Sequence, residues 1–271
     1  MLGGTVDAWA EAHSVGVRRH DDLLLMYGST MFLVNPAPPG PSLPGLWRTA
    51  GLTPEGQTLA AGMATSGLLT TWLSDLTGEP VELLSKKAER VAAGAEGLLV
   101  LPYFAGERSP LFDPGARGVA IGLHLGHGAA HLMRAVYEAT AMSVRHVLAT
   151  FDQVSGAGDS AGARRIVAAG GGTKSALWTQ LVSDVTGETQ VIPEQAVGAS
   201  YGDALLAAAA IGMVPPETDW TRVRSVVAPR AGAAELYDRL YATYIDLYPA
   251  TRDLVGRLAD HSPKGATVAV L

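Results

Sequence analysis

The sequence predicts an α/β fold, and three observations carry that prediction. Apolar, strand-like runs alternate along the chain with stretches whose apolar residues recur at helical spacing. Ile166 to Gly172 reads Ile-Val-Ala-Ala-Gly-Gly-Gly, a buried strand running straight into side-chain-free backbone ahead of the helical stretch Leu177, Leu181, Val182, Val185. Glycine makes up 32 of the 271 residues, well above the usual ~7%, so many tight turns are expected.

The elements follow in order. Ala8 to Ser14 reads as a short helix. Leu23 to Tyr27 and Met31 to Asn35 read as strands joined at the small-residue turn Gly28-Ser29-Thr30. Pro36 to Pro44 is so rich in proline that an irregular, extended loop is expected. Thr65-Ser66-Gly67 opens a helix with Leu68, Leu69, Trp72, Leu73 and Leu76 at helical spacing, and Gly78 stops it. Pro80 to Ala93 is a second helix that begins on proline, with Leu83, Leu84 and Val91 on one face. Gly97 to Phe104 is a buried strand, followed by a polar loop from Gly106 to Gly118. Ala129 to Phe151 is the longest helix, and Gln153 to Gly162 a loop. The strand at Ile166, the helix Ser175–Thr186 and a short strand Thr189–Pro193 follow. Ala199 to Ile211 is an Ala-rich helix expected to pack closely on a sheet, closed by Gly212. Glu235 to Leu258 is a final helix, broken or bent near Pro249.

Composition bounds the function. With 48% apolar and 17% charged residues, the chain buries a sizeable core. A net charge of −6 and the lack of a Lys/Arg cluster argue against nucleic-acid binding. The absence of cysteine excludes disulfides, thiolate zinc sites and a thiol nucleophile. No apolar stretch reaches the ~18 residues of a membrane span, and the start is unlike a signal peptide. A soluble, cytoplasmic protein is the expectation.

Four small-residue turns stand out: Gly3-Gly4-Thr5, Gly28-Ser29-Thr30, Thr65-Ser66-Gly67 and Gly170-Gly171-Gly172. Backbone N–H groups and hydroxyls suit polyphosphate, because they donate without bulk. Hairpin chemistry is the competing reading of any one turn alone. Asp7, beside the first turn, is placed either to accept a proton from a substrate hydroxyl or to cap the helix that follows. Glu107, Arg108 and Asp113 contact sugar or metal, or pair with one another, and pairing is the default. The histidines show no trusted ligand spacing, His127 and His131 included. Neither a Gly-x-Ser-x-Gly elbow nor a P-loop pattern is present.

Several segments together resemble the FGGY family of carbohydrate kinases, specifically its C-terminal domain. Gly118-Val119-Ala120-Ile121-Gly122-Leu123, seven residues, then His131 to Glu138 is similar to the second family signature, with Ala120 where a larger apolar residue is usual. Pro102 to Pro110, continued by Asp113 to Gly118, resembles the loop of the xylulokinase branch. Ala169 to Ser175, with Gln180 and Asp184, is similar to the adenosine motif. Met26 to Thr30 resembles a phosphate-contact turn, and Ala61 to Gly67 a further nucleotide-side segment.

The resemblance implies an actin-like ATPase or sugar-kinase (ribonuclease H-like) fold, a mixed sheet flanked by helices, with ATP and Mg²⁺ as cofactors. By motif match, Asp7 is the general base, and Gly28, Ser29 and Thr30 face the terminal phosphates. Gly67 and Thr71 are further nucleotide contacts, while Gly171, Gly172 and Ser175 hold the adenosine. The acceptor is a ketose or polyol, xylulose-type by preference. One domain is expected over residues 1–258 with a flexible tail at 259–271; the sugar-binding N-terminal domain is expected to be absent and the chain inactive alone. The opening Met1–Asp7 then reads as a cut or a late start. A homodimer is compatible with the long helices. The competing reading is a non-catalytic nucleotide-binding or dimerising module.

Overall fold

The computed structural model describes residues 5–41, 44–51, 56–155, 164–195, 197–259 and 261. In chain order the elements are α1 (Asp7–Ser14), β1 (Asp22–Tyr27), β2 (Met31–Ala37), β3 (Trp47–Ala50), β4 (Gln57–Met63), α2 (Gly67–Thr77) and α3 (Val81–Ala88). They continue as β5 (Leu99–Leu101), β6 (Val119–Ile121), α4 (Ala129–Ser155), β7 (Arg165–Ala169), α5 (Ala176–Thr186), β8 (Gln190–Pro193), α6 (Ala199–Ala210), β9 (Val223–Val227) and α7 (Ala233–Ala259). The α/β prediction holds. A seven-stranded sheet runs in the order β3-β4-β2-β1-β7-β8-β9, and β5 pairs with β6 apart from it.

The sheet is mixed, and its register places the glycine turns. β1 pairs antiparallel with β2, ending at Tyr27 opposite Met31, and parallel with β7, Met26 opposite Ala169. β2 pairs antiparallel with β4, Met31 opposite Met63. The turn after β1, the exit of β4 and the exit of β7 therefore lie at one end of the sheet.

Alternation along β1 and β7 separates two apolar layers. Leu23, Leu25, Tyr27, Ile166 and Ala168 pack with α4, α5 and α7 residues such as Met142, Leu181 and Tyr244. Leu24, Val167 and Ala169 face the other way, against Trp9 and Ala12 of α1. No helix among the described residues is long and apolar enough to cross a membrane.

Several expectations require correction. Leu83 is exposed while Leu84 and Val91 are buried; the helix after Pro80 runs only Val81–Ala88, so Val91 packs from the following turn. The strand expected from Gly97 to Phe104 shortens to Leu99–Leu101. Trp72 and Leu76 of α2 are exposed, whereas Leu69 and Leu73 are buried; Trp72 sets its ring edge-on to Phe104 at 4.8 Å. The strand β2 continues through Pro36, into the segment expected to be irregular. Most of the expected Gln153–Gly162 loop, and the tail from 262, lie outside the described residues.

The Ala-rich helix α6 packs on α1 rather than on the sheet. Small residues allow that approach: a Cβ on Gly202 would lie 1.8 Å from the Ala10 carbonyl oxygen. Helix α7 is continuous through Pro249. Pro249 is exposed and the turns before it are anchored by buried Tyr244 and Leu247, so packing carries the helix across the hydrogen bond that proline removes.

The helix contact supplies a stability test. Gly202→Val forces α6 away from α1 and is expected to cost about 1–3 kcal/mol, the usual range for overpacking. Thermal unfolding followed by circular dichroism measures the loss; an unchanged midpoint would refute the contact.

Candidate functional site

The turns that the sheet register brings to one end open on a cleft of about 640 Å³. Of the residues expected at a nucleotide site, Gly28, Ser29, Gly67, Thr71, Gly171, Gly172 and Ser175 all line it. Thr30 lies one residue further along the turn and is not among the lining residues. Asp7 is not among them either. It opens α1, exposed to solvent, and its Oδ1 accepts the Ala8 N–H at 2.7 Å. The capping position belongs to Val6, with no side-chain cap, so Asp7 acts there as a first-turn acid favourable to the helix dipole. Gly3 and Gly4 of the first turn lie outside the described residues.

The glycines play different parts. Gly67 is required by packing, since its Cβ would lie 2.6 Å from the Gly28 carbonyl oxygen. Its N–H donates to that same oxygen at 3.0 Å, while the Ser66 and Leu68 N–H groups donate to the Ser29 oxygen at 3.1 and 3.0 Å. The free-amide cradle expected at this turn is thus engaged internally. Gly170 has φ +94 and sits against Tyr27. Gly172 is also a packing glycine: its Cβ would meet Trp178 at 2.7 Å.

Gly171 is different. A Cβ there meets nothing within 4 Å, and its φ lies outside the region that favours glycine. Gly171 and Gly172 open a 3₁₀ turn, where the first N–H groups have no acceptor inside the turn.

Residues that sequence reasoning missed build the floor. Tyr27 meets Trp178 edge-on at 5.3 Å, and Tyr137 stacks on Trp178 at 5.1 Å. The Trp178 Nε1–H donates to Thr140 Oγ1 at 2.9 Å, and the Tyr27 hydroxyl to Gln190 Oε1 at 2.5 Å. Burial raises the Tyr137 phenol, opposed by hydrogen bonds from Ser85 and Ser175. Ser175 also caps α5 by accepting the Trp178 N–H at 3.2 Å. The rim carries both signs of charge, from Lys86, Lys174, Glu82 and Glu89. The available signals were weak: Tyr27 precedes the glycine turn directly, and Trp178 sits three residues after Ser175.

Other expected residues lie elsewhere. Asp184 is buried and clamps Arg230, with 2.8 and 2.6 Å bonds from Nε and Nη2, and Gln180 Nε2 donates to Asp184 at 2.9 Å. Glu107, Arg108 and Asp113 do not pair side chain to side chain as expected. Glu107 and Asp113 join through their backbones at 2.9 Å, and Asp113 accepts the Tyr248 hydroxyl at 2.5 Å. A second cavity of about 640 Å³ beside Asp113 and Arg252 holds none of the expected nucleotide contacts.

The family model described as "FGGY family of carbohydrate kinases, C-terminal domain" matches residues 26–211. The chain belongs to the FGGY family of carbohydrate kinases. It is 31% identical over 203 residues to xylulose kinase of Bacillus subtilis (strain 168), covering 73% of this chain and 39% of that protein. It is 32% identical over 187 residues to a gluconokinase of Bacillus licheniformis, covering 68% and 36%. The solved xylulose kinase from Rhodospirillum rubrum superposes with TM-score 0.83 at 32% identity, over 93% of this chain and 52% of that one. The chain therefore spans about half, or less, of the length of these relatives. The mixed sheet flanked by helices is that of the sugar kinases with the actin-like ATPase fold.

The two kinds of FGGY glycine separate experimentally. Gly172→Ala drives a methyl group into Trp178 and is expected to lower stability by about 1–3 kcal/mol. Gly171→Ala is expected to stay within about 0.5 kcal/mol of the parent, as for a surface change. Chemical denaturation of both variants checks the contrast.

Proposed function

We propose that this chain is the ATP-holding half of a carbohydrate kinase, and that the cleft is its nucleotide site. The observation that carries the reading is Gly171: neither packing nor backbone conformation explains a glycine there, whereas close approach of a ligand does. Adenosine lies along Gly171, Gly172 and Ser175, over the Tyr27–Trp178–Tyr137 floor. The terminal phosphates point to Gly28, Ser29 and Thr30, with Gly67 and Thr71 beside them. Lys86 and Lys174 offset part of the polyphosphate charge.

Mg²⁺ bound with the nucleotide supplies charge neutralisation during phosphoryl transfer. Mg²⁺ usually keeps several of its waters and is carried chiefly by substrate phosphates. The protein's own part is to orient the nucleotide and to provide Asp7, which takes the proton of the acceptor hydroxyl. The relatives' names, xylulose kinase and gluconokinase, favour a small polyhydroxylated acceptor; the Gly106–Pro110 segment favours a xylulose-type ketose. We further propose a cytoplasmic protein whose turnover requires residues corresponding to the remaining length of the relatives. The exposure of Asp7 and its absence from the cleft lining favour a second reading, nucleotide binding without transfer.

Titration calorimetry with Mg-ATP, and a coupled ADP-release assay across ketopentoses, gluconate and glycerol, test these readings. The expected outcome is nucleotide binding with little sugar-dependent turnover by the 271 residues. Gly171→Val is expected to weaken ATP binding at least about tenfold, equivalent to about 1.4 kcal/mol, at unchanged stability. No binding at millimolar ATP would end the proposal. When activity is restored by a complementing N-terminal half, Asp7→Asn is expected to abolish turnover and leave ATP affinity intact; retained turnover would exclude Asp7 as the base.

A further inference from the structure

Glu107 is 3% exposed and is absent from the cleft lining, yet its carboxyl group is committed to the cleft's supporting backbone. Oε1 accepts the N–H of Ala64 at 2.8 Å and that of Arg108 at 2.7 Å. Oε2 is buried with no hydrogen-bond partner, and so is the Ser66 hydroxyl on the turn that Ala64 begins.

The need for such an acceptor follows from the sheet. The β2–β4 pairing ends at Met31 opposite Met63, so the Ala64 N–H lies past the last strand partner, and a buried amide requires one. The segment 107–109 runs beside the end of β4 and binds three successive residues. Ser109 N–H donates to the Gly62 oxygen at 3.0 Å, and Gly62 N–H donates to Ser109 Oγ at 3.1 Å. Arg108 Nη2 donates to the Met63 oxygen at 2.9 Å, and Glu107 takes Ala64. Thr65 then donates its hydroxyl to the Pro102 oxygen. Beyond it, the Ser66, Gly67 and Leu68 amides hold the carbonyls of Gly28 and Ser29.

We propose that Glu107 is a positioning residue for the cleft: its carboxyl group fixes the Ala64–Gly67 turn and, through it, the Gly28–Ser29 wall. Burial pushes this carboxyl up to about 7, against the two N–H bonds and the Arg108 charge. The other titratable groups facing it are the phenols of Tyr103 and Tyr244, both raised by burial and neutral near pH 7. Protonated and ionised forms therefore both occur near neutrality, and the ionised form accepts the Ala64 N–H more strongly. The link from this turn to nucleotide affinity rests on the nucleotide reading of the cleft; the link to backbone order does not.

Amide hydrogen exchange resolved by residue, on the full chain, tests the inference with Glu107→Leu and Glu107→Gln. Leu removes the acceptor and is expected to speed exchange of Ala64 and of Ser66–Leu68 about tenfold or more, leaving Leu24 and Val167 in the sheet unchanged. Gln keeps a carbonyl acceptor but cannot ionise. The exchange rate of Ala64 in Glu107→Gln relative to the parent, and the parent's Mg-ATP affinity relative to Glu107→Gln, are both expected to rise across pH 6–8. Using ratios cancels the titration of the nucleotide itself.

Exchange at 64–68 that is unchanged, or that accelerates equally throughout the sheet, overturns the proposal. Should Glu107→Leu fail to fold, a flat Ala64 ratio across pH 6–8 does the same. Selective local exchange without any ATP binding would support the positioning role and sink the nucleotide reading. ATP binding with unaltered exchange would do the reverse.

Discussion

The N-terminus of α2 is bonded to the turn between β1 and β2, and the site depends on that contact. A helix begins with N–H groups that have no partner within it. A side-chain cap usually takes one or two of them, but Ser66 makes no side-chain cap here. Three of the amides instead hold the carbonyls of Gly28 and Ser29, and only glycine at position 67 permits the approach. Helix, strand exit and turn thus form one unit, so the wall of the cleft is fixed before any ligand arrives. Preorganisation of this kind reduces what binding must supply in ordering.

The other wall is built differently. Gly170 and Gly172 are held tightly against Tyr27 and Trp178, whereas Gly171 between them stands free. The aromatic floor is locked from below, Trp178 by Thr140 and Tyr27 by Gln190, which in turn donates to Thr179 and Ser183. A buried polar chain with every member bonded is rigid. One wall is secured by main chain and the other by side chains, and both converge because β1 lies between β2 and β7.

Much of this was legible in the sequence, for identifiable reasons. Leu-Leu-Leu-Met-Tyr and Ile-Val-Ala-Ala are apolar runs that only a buried strand explains, and Gly78 was readable as a helix stop, adopting φ +70. The glycine turns were readable as a group, and the motif resemblance joined them. β4 was not legible, because Gln-Thr-Leu-Ala-Ala-Gly-Met has little strand propensity and is held by pairing with β2 and β3. β9 is an edge strand with Val223 and Val226 exposed, so it lacks an apolar alternation. The floor was hidden by distance along the chain, since Tyr137 and Trp178 meet Tyr27 only in three dimensions. Nor does sequence reveal which amides are already engaged, which is why Gly67 reads as a ligand contact in the sequence while the structure shows its packing role.

Trp178 has a consequence of another kind. The chain has five tryptophans, and Trp178 alone is among the residues lining the cleft. Its indole is buried, its ring nitrogen bonded, and its neighbours rigid, so its emission has a fixed surrounding except on the side that opens to the cavity. An occupant placed there changes the polarity around one fluorophore and leaves the other four in place. The molecule thereby carries its own optical gauge of occupancy, at a position where no dye need be attached.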